Sequence, residues 1–278
     1  MSPYLVIAIV VAAVIVAVFV LLLIMSKPNR KRGGLEKYLN TKYAHRGLHS
    51  DTVAENSLTA FRLAAEAGYG IELDVHTAKC GTAVVFHDGT LKRMTGVDEK
   101  LCDKTAEELG QMKLLDTDDC IPTFKEVLEL IDGRVPLLVE LKQNPGESGV
   151  AEAAYELLKD YKGDFIVESF NPITLRDFAR LMPEVRRGIL STNYLKYKKH
   201  TGVQFRLAQA LLFNFMCKPD FVAYNHEDGK YLPLRAHKAV FKTPTVAWTV
   251  RSADEEKAAY GNKFDTVIFE NYIPEKTK

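Results

Sequence analysis

The chain has 278 residues, of which 47% are hydrophobic and 26% are charged, and its formal net charge is +1. This composition provides enough apolar side chains for a core and excludes an intrinsically disordered chain. The nearly balanced charge gives no electrostatic attraction to nucleic acid, so we expect no nucleic-acid partner.

An apolar segment lies at the N-terminus, where every residue from Tyr4 to Met25 is uncharged and almost all are Val, Ile, Leu, Ala or Phe. About 20 such residues are enough to cross a bilayer as a helix. No Lys or Arg precedes the segment, whereas a secretory signal peptide normally begins with basic residues. We therefore predict a transmembrane helix over residues 1–26, with an uncleaved export signal as the alternative.

A short basic segment, "SKPNRKRGG", follows the apolar one and contains Lys27, Arg30, Lys31 and Arg32. Basic residues next to a membrane helix favour the cytoplasmic side. We therefore expect a single-pass membrane protein with a basic linker over residues 27–40. The remaining residues, 41–278, suit one large cytoplasmic domain.

Short apolar, β-branched runs alternate with amphipathic segments through this domain. Such alternation is typical of βαβ units around a parallel sheet. The predicted strands cover residues 43–45, 70–75, 136–141, 165–169, 187–190, 221–224, 245–250 and 265–269. The predicted helices cover residues 57–67, 123–131, 150–161, 173–181, 203–216 and 253–260, and Asn56 is the expected N-cap of the first. Eight such units predict an α/β fold of the (β/α)8, or TIM-barrel, type.

The run "TAVVFHD", residues 82–88, interrupts the alternation because it follows the second strand after only six residues. A parallel neighbour would need a crossover of a dozen or more residues. We therefore interpret this run as the returning arm of a hairpin, an excursion outside the eight barrel strands.

Ionisable and aromatic side chains lie at or near the ends of these runs. They are His45 and Arg46 after the first strand, Glu72 and Asp74 in the second, His87 after the excursion, Glu140 and Lys142 in the third, Glu168 and Phe170 at the fourth, and Trp248 in the seventh. Active sites of such barrels are built at the carboxyl ends of the strands. Each motif alone is equally compatible with a solvated strand face or a turn, but their joint placement favours a site.

The carboxylates Glu72, Asp74 and Glu140 would converge if their strand faces point inward, because side chains two apart share a face. Anions that close raise each other's pKa values, and a divalent cation resolves the repulsion. Oxygen ligands favour Mg²⁺ or Ca²⁺. Two histidines suit acid–base catalysis, and Arg46 and Lys142 suit a phosphate. The pattern predicts a site that cleaves phosphodiesters.

The same residues resemble the motifs of the glycerophosphodiester phosphodiesterases. The matching segments are "HRG" at 45–47, "AENS" at 54–57, "ELD" at 72–74, "HD" at 87–88, "ELK" at 140–142, "ESF" at 168–170 and "WTV" at 248–250. They occur in the order of the family and extend over residues 42–274. The ordered set is specific, although none of its pieces is.

The resemblance implies roles for these residues and a reaction. It makes Glu72, Asp74 and Glu140 metal ligands, His45 and His87 the acid–base pair, Arg46 and Lys142 phosphate binders, Glu55 and Asn56 supports near His45, and Phe170 and Trp248 parts of the substrate pocket. It implies hydrolysis to glycerol 3-phosphate and an alcohol. In this family the glycerol hydroxyl of the substrate is thought to attack phosphorus, so that a cyclic phosphate forms and water then opens it.

The chain departs from the family pattern at several positions. Ala54 stands in place of proline, Cys80 in place of an aspartate in a turn, and Arg251 in place of asparagine after "WTV". The segment "IFENYIP", residues 268–274, replaces the usual Thr-Asp. The last two departures lie at the expected pocket rim, where they bear on substrate preference. His49 has no partner in the pattern, and we expect it in a loop outside the site.

Two other functions remain open at this stage. Membrane anchorage suits a lysophospholipase D, and the segment "FRLAQALLFNFM", residues 205–216, is apolar enough to receive an acyl chain. The interpretation we favour for this segment is an ordinary amphipathic barrel helix buried against the strands. The third possibility, an inactive phosphodiester-binding module, predicts lost ligands, and the motifs retain all of them.

Overall fold

Eight parallel strands form a closed barrel. The computed structural model describes residues 2–29, 33–144, 147–196 and 202–275. The barrel strands are β1 (Tyr43–Ala44), β2 (Gly70–Thr77), β4 (Leu137–Leu141), β5 (Phe165–Ser169), β6 (Arg187–Ser191), β7 (Phe221–Asn225), β8 (Thr245–Val250) and β9 (Thr266–Phe269), and β3 (Ala83–Val85) is antiparallel to β2. They pair in chain order, and β9 returns to β1 through the register Tyr43 to Ile268. The predicted α/β (β/α)8 barrel is confirmed.

Helices surround the barrel and connect its strands. They are α1 (Pro3–Met25), α2 (Glu36–Leu39), α3 (Leu58–Glu66), α4 (Lys92–Thr95), α5 (Ala106–Leu109), α6 (Phe124–Ile131), α7 (Val150–Leu158), α8 (Pro172–Leu181), α9 (Val203–Gln209), α10 (Asn214–Cys217), α11 (Leu232–Phe241) and α12 (Ala253–Gly261). Helix α11 was not predicted, because its buried side is narrow and consists of Leu234 and His237.

The N-cap of α3 differs from the predicted one. Oγ of Ser57 accepts a hydrogen bond from the backbone N–H of Ala60 at 3.1 Å, so Ser57 caps the helix. The prediction of Asn56 was wrong, because the Asn56 side chain donates instead to Oδ2 of Asp74 at 2.8 Å.

The predicted helix over residues 203–216 is two short helices, α9 and α10, so the expectation of one barrel helix was wrong. The chain turns between them, where Leu211 adopts a left-handed conformation with φ of 60°. This turn lets α10 pack against α8. Phe213 and Met216 consequently line an apolar pocket.

The predicted hairpin excursion is present, because β3 pairs antiparallel with β2 through Val75 and Val85. It extends beyond the predicted residues 82–88 into α4 and α5. A separate core cluster stabilises this region, and it includes Phe86, Leu91, Met94, Leu101, Leu109, Leu114 and Ile121. The excursion thus presents His87 from a small structured unit.

The barrel interior is filled at its amino-terminal end. Leu35 and Tyr38, from the predicted linker and α2, pack there with Phe221 and other buried strand residues. Gly188 is required beside Phe221, because a Cβ at Gly188 would lie 2.1 Å from the phenylalanine ring. Buried polar side chains, among them Asp74 and Glu140, lie toward the carboxyl-terminal end of the barrel.

Helix α1 has none of its residues buried and a mean hydropathy of 3.6, so it is long and apolar enough to cross a membrane. A signal sequence near the N-terminus can also meet this criterion. Arg30, Lys31 and Arg32 of the predicted basic linker lie outside the described residues.

Candidate active site

Three buried carboxylates lie together at the carboxyl ends of β2 and β4. Asp74 and Glu140 are direct partners in the parallel register, and Glu72 lies two residues earlier on the same face as Asp74. Each of the three offers an oxygen within 4.8 Å of the others. Their solvent exposure is 6% or less. The alternation of the strands therefore produces the convergence that the sequence predicts.

The pKa values of this cluster diverge. Burial and the neighbouring carboxylates raise the pKa of Glu72 well above its usual range. Burial likewise raises the pKa of Glu140 to about 7, against the opposing influence of Lys142. Burial would also raise the pKa of Asp74, but Lys142 and Arg46 hold it well below its usual range. Lys142 and Arg46 therefore stabilise the ionised form of Asp74, whereas the ionised forms of Glu72 and Glu140 lack enough neighbouring positive charge.

Two cations border the carboxylates. Nζ of Lys142 lies 3.1 Å from Oδ1 of Asp74 and 2.9 Å from Oε1 of Glu140. Nε of Arg46 lies 3.2 Å from Oδ2 of Asp74, and Nη1 of Arg46 donates to Oε1 of Glu55 at 2.8 Å. Both cations also reach the space above the carboxylates, because they line the same cavity.

The loop after β1 is fixed by backbone conformations that few residues adopt. Arg46, Gly47 and Asn56 all have positive φ angles, of 55°, 80° and 52°. A Cβ at Gly47 would lie 2.8 Å from Ala60, so glycine is required there. The backbone N–H of Arg46 donates to Oε2 of Glu72 at 2.9 Å. The loop therefore orients Arg46 against the carboxylates.

The predicted supports hold the cation and the carboxylate of the site. Glu55 contacts Arg46 and also accepts from Nη2 of Arg93 at 2.7 Å. The amide of Asn56 donates to Asp74, and its backbone N–H donates to the carbonyl of Arg46 at 2.9 Å. Glu55 therefore contacts Arg46 and Arg93, and Asn56 contacts Asp74 and the backbone of Arg46.

His45 lies at the end of β1 and contacts a carboxylate that the sequence analysis missed. Its Nδ1 is 2.5 Å from Oε2 of Glu270, the residue after β9. Nε of Arg251 contacts Oε1 of Glu270 at 2.7 Å, and Nε2 of His49 is 3.5 Å from Oε2. Burial lowers the pKa of His45, while Glu270 opposes that shift. His49 lies in the loop after β1, as expected, and its ring is close to the carboxylate that contacts His45.

His87 follows β3 and is held by its neighbour. Its Nδ1 is 2.6 Å from Oδ1 of Asp88, whose other oxygen accepts from Nε of Arg93 at 2.6 Å. Burial lowers the pKa of His87 to about 4, with further lowering by Lys142 and Arg46. His87 is therefore neutral at neutral pH.

A cavity of about 210 Å³, the catalytic cavity, separates the two histidines. Its lining includes His45, Arg46, Glu72, His87, Glu140, Lys142, Glu168, Phe170 and Trp248. The predicted site residues line this cavity with three exceptions, which are the supports Glu55 and Asn56 and the predicted metal ligand Asp74. Glu168 was not assigned to the site from the sequence, although its position at the end of β5 was noted. Burial and Glu140 raise its pKa well above the usual range, and its Oε2 has no hydrogen-bond partner in the described part of the chain.

A larger apolar pocket adjoins the catalytic cavity. Its volume is about 940 Å³, and its lining includes Ile173, Tyr194, Phe205, Ala208, Phe213 and Met216. Phe170 and Trp248 line both spaces. Their rings meet edge to face, with centroids 5.5 Å apart. The two aromatic side chains predicted for the substrate pocket therefore form the boundary between a polar and an apolar compartment.

Comparison with known proteins agrees with this architecture. The model of the glycerophosphoryl diester phosphodiesterase family matches residues 45–272. A glycerophosphodiester phosphodiesterase of Caldanaerobacter subterraneus is 34% identical over 201 residues, which are 67% of this chain and 81% of that protein. A lysophospholipase D of Rattus norvegicus is 31% identical over 144 residues, 47% of this chain and 45% of that protein.

A solved structure extends the likeness to the whole barrel. The phosphodiesterase of Oleispira antarctica, in complex with the product sn-glycerol-3-phosphate, superposes with a TM-score of 0.68 at 26% identity. The match covers 85% of this chain and 95% of that one. The family model alone spans more than half of the residues, so the chain belongs to the glycerophosphoryl diester phosphodiesterase family.

Proposed function

We propose that this glycerophosphodiester phosphodiesterase requires a divalent metal, which Glu72, Asp74 and Glu140 hold. The supporting observation is the cluster of three buried carboxylates, whose oxygens lie within 4.8 Å of one another. Mutual repulsion and burial disfavour the ionised forms of Glu72 and Glu140, and a cation would relieve both. The all-oxygen donor set suits Mg²⁺ or Ca²⁺. A bound cation would supply positive charge for the phosphoryl oxygens.

We assign phosphate binding to Arg46 and Lys142 and proton transfer to the two histidines. We assign His87 as the base, because its pKa of about 4 leaves the ring unprotonated and able to accept a proton. His45 is the better acid, because the carboxylate of Glu270 stabilises its protonated ring. Asp74 holds Lys142 and Arg46 beside the cavity, so both cations are positioned before substrate arrives.

The reaction proceeds in two steps in this scheme. His87 takes the proton of the substrate's glycerol hydroxyl, whose oxygen attacks phosphorus, while His45 protonates the departing alcohol. The cyclic phosphate is then opened by water with the histidine roles reversed. The products are glycerol 3-phosphate and an alcohol, and no protein nucleophile takes part.

Release of glycerol 3-phosphate from glycerophosphocholine, with Mg²⁺ or Ca²⁺ and with EDTA, tests this function. We expect metal-dependent turnover, which His45→Ala and Glu72→Ala abolish and which the exposed control Glu129→Ala leaves unchanged. Phosphorus NMR during turnover should detect the cyclic phosphate. Turnover that survives EDTA and both site variants would contradict the assignment.

We further propose that α1 anchors the enzyme in the membrane as residues 1–26, that residues 27–40 form the linker, and that the catalytic domain, 41–278, is cytoplasmic. The apolar length of α1 and the basic residues after it support this topology. Cys80 on the barrel is exposed and provides a probe. A membrane-impermeant maleimide should label Cys80 only after cells are permeabilised, and labelling of intact cells would reverse the topology.

The apolar pocket favours a second candidate substrate, a lysophospholipid, which a lysophospholipase D would cleave. A glycerophosphodiester head group is small and polar, and it leaves about 940 Å³ of apolar space beside the catalytic cavity unused. A single acyl chain would fill such a space. The rates on lysophosphatidylcholine and glycerophosphocholine decide this question, and an equal or lower rate on the lysolipid would remove the candidate.

A further inference from the structure

The end of α1 is hydrogen-bonded to the barrel rather than joined to it by a free tether. The backbone N–H of Asn29 donates to the carbonyl of Pro219 at 2.9 Å, and the Asn29 amide donates to Oδ1 of Asp220 at 2.8 Å. The amide of Asn214 donates to the carbonyl of Ser26 at 3.2 Å. These five residues form a contact that we call the joint.

The joint is attached to a rigid part of the barrel. Asp220 is fully buried and directly precedes β7. Its Oδ2 accepts from the backbone N–H of Arg187 at 3.0 Å, and its Oδ1 lies 3.2 Å from Nη1 of Arg186. Because Asp220 is held from β6, the orientation of α1 is coupled to the sheet.

Helix α10 connects the joint to the apolar pocket. It begins at Asn214, which contacts Ser26, and it carries Met216, which lines the pocket. Two residues of helix rise by only about 3 Å. The wall of the pocket is therefore directly beside the end of the helix that we assign to the membrane.

Exposed apolar side chains lie on and beside the wall of this pocket. Ile173, Leu195, Val203 and Phe215 are each more than 40% exposed, and each is a pocket-lining residue or the sequence neighbour of one. Arg206 and Lys218 are exposed in the same segments, and Lys27 is exposed just after α1. Apolar side chains among basic ones suit the interface of a bilayer that contains anionic lipids.

We propose that this face rests on the bilayer, that the joint holds it there, and that the acyl chain of a lysophospholipid passes from the membrane into the apolar pocket. The chain would then stay in apolar surroundings, while the head group reaches Arg46 and Lys142 past Phe170 and Trp248. The inference rests on the proposed lysophospholipase activity, and it adds the bilayer as the partner of a defined surface.

The test uses the full chain in vesicles of phosphatidylcholine and phosphatidylglycerol. Six Gly and Ser residues inserted between Ser26 and Lys27 lengthen the connection before the joint is complete. The matched control places the same insertion between Gly33 and Gly34, after the joint, where both glycines are exposed. Each protein is assayed on lysophosphatidylcholine in the vesicles and on soluble glycerophosphocholine.

We expect the first insertion to lower lysolipid turnover by about fivefold or more, because the pocket loses its fixed position at the membrane. Glycerophosphocholine turnover should stay unchanged, and the control insertion should affect neither. Equal rates for all three proteins on the lysolipid, or a parallel loss on both substrates, would overturn the inference. If the unmodified chain did not hydrolyse glycerophosphocholine, the result would instead overturn the proposed function.

Trp248 provides a readout that does not depend on turnover, because it is the only tryptophan of the chain and lines the pocket. Lysophosphatidylcholine with a brominated acyl chain should quench its fluorescence in vesicles. Quenching should weaken in the first insertion variant and persist in the control. Unquenched Trp248 in the unmodified chain would overturn entry of the acyl chain.

Discussion

Oε2 of Glu270 lies 2.5 Å from Nδ1 of His45, so the last strand of the barrel supplies a carboxylate to the histidine at the end of the first. A carboxylate on Nδ1 fixes the orientation of the ring and stabilises its protonated form. We expect Glu270→Gln to lower kcat by about 10- to 100-fold, a part of what acid–base catalysis contributes. KM should change little, and Glu270→Asp should restore part of kcat. Unchanged kcat in steady-state assays would contradict this role.

The pKa of Glu140 makes metal affinity depend on pH. Burial raises this pKa to about 7, so the carboxyl carries a proton below pH 7 that a cation must displace. For one displaced proton, the affinity should rise by about tenfold between pH 6 and pH 8. Calorimetric titration with Ca²⁺ in buffers of different ionisation enthalpy should also detect the released proton. Equal affinity at both pH values would contradict the assignment of Glu140.

Metal-free protein should be destabilised by Glu72. The pKa of Glu72 is higher in the folded protein than in the unfolded chain. Glu72 therefore lowers the free energy of unfolding above the pKa of the unfolded chain, and this loss is recovered as the pH falls through the pKa of the folded protein. We expect Glu72→Gln to raise the melting temperature in EDTA at pH 7.5, by roughly 2 to 4 °C for each kcal/mol. The same variant should lose the stabilisation that Mg²⁺ or Ca²⁺ gives the unmodified chain. A lower melting temperature in EDTA would contradict the repulsion.

The substitution Glu168→Gln should affect activity far less than Glu72→Gln, although both residues line the same cavity. Burial and the neighbouring Glu140 raise the pKa of Glu168 well above its usual range, which favours the neutral carboxyl, and glutamine has the same shape without a charge. We expect Glu168→Gln to retain activity within about threefold, as is usual for substitutions that remove no charge or contact. Glu72→Gln should abolish activity in the same assay. Complete loss in Glu168→Gln would instead make Glu168 part of the metal site.

Strand periodicity is the reason that the carboxylate cluster was predictable. Glu72 and Asp74, like Glu140 and Lys142, are two residues apart, and strands place such pairs on one face. The number of alternating units likewise predicted the barrel. Both inferences depend on spacing along short segments, which the sequence displays directly.

Contacts that close the barrel were not predictable in this way. His45 and Glu270 are 225 positions apart and meet only because β9 pairs with β1. The prediction that Asn56 caps α3 was also wrong, because its side chain donates a hydrogen bond to Asp74 and Ser57 is the N-cap. The turn at Leu211 separates α9 from α10. It contains neither glycine nor proline, the residues that usually indicate a turn in a sequence.

Filling the apolar pocket should separate lipid substrates from soluble ones. Ala208 lines the pocket between Phe205 and Phe213, so the added ring of Ala208→Phe would occupy the space proposed for an acyl chain. We expect KM for lysophosphatidylcholine to rise by about tenfold, which corresponds to 1.4 kcal/mol of lost binding. Kinetics on glycerophosphocholine should stay unchanged, because the catalytic cavity is separated from this space by Phe170 and Trp248. Ala258→Phe on the exposed surface of α12 is the matched control. An equal effect of Ala208→Phe on both substrates would show that the pocket serves the barrel's packing rather than an acyl chain.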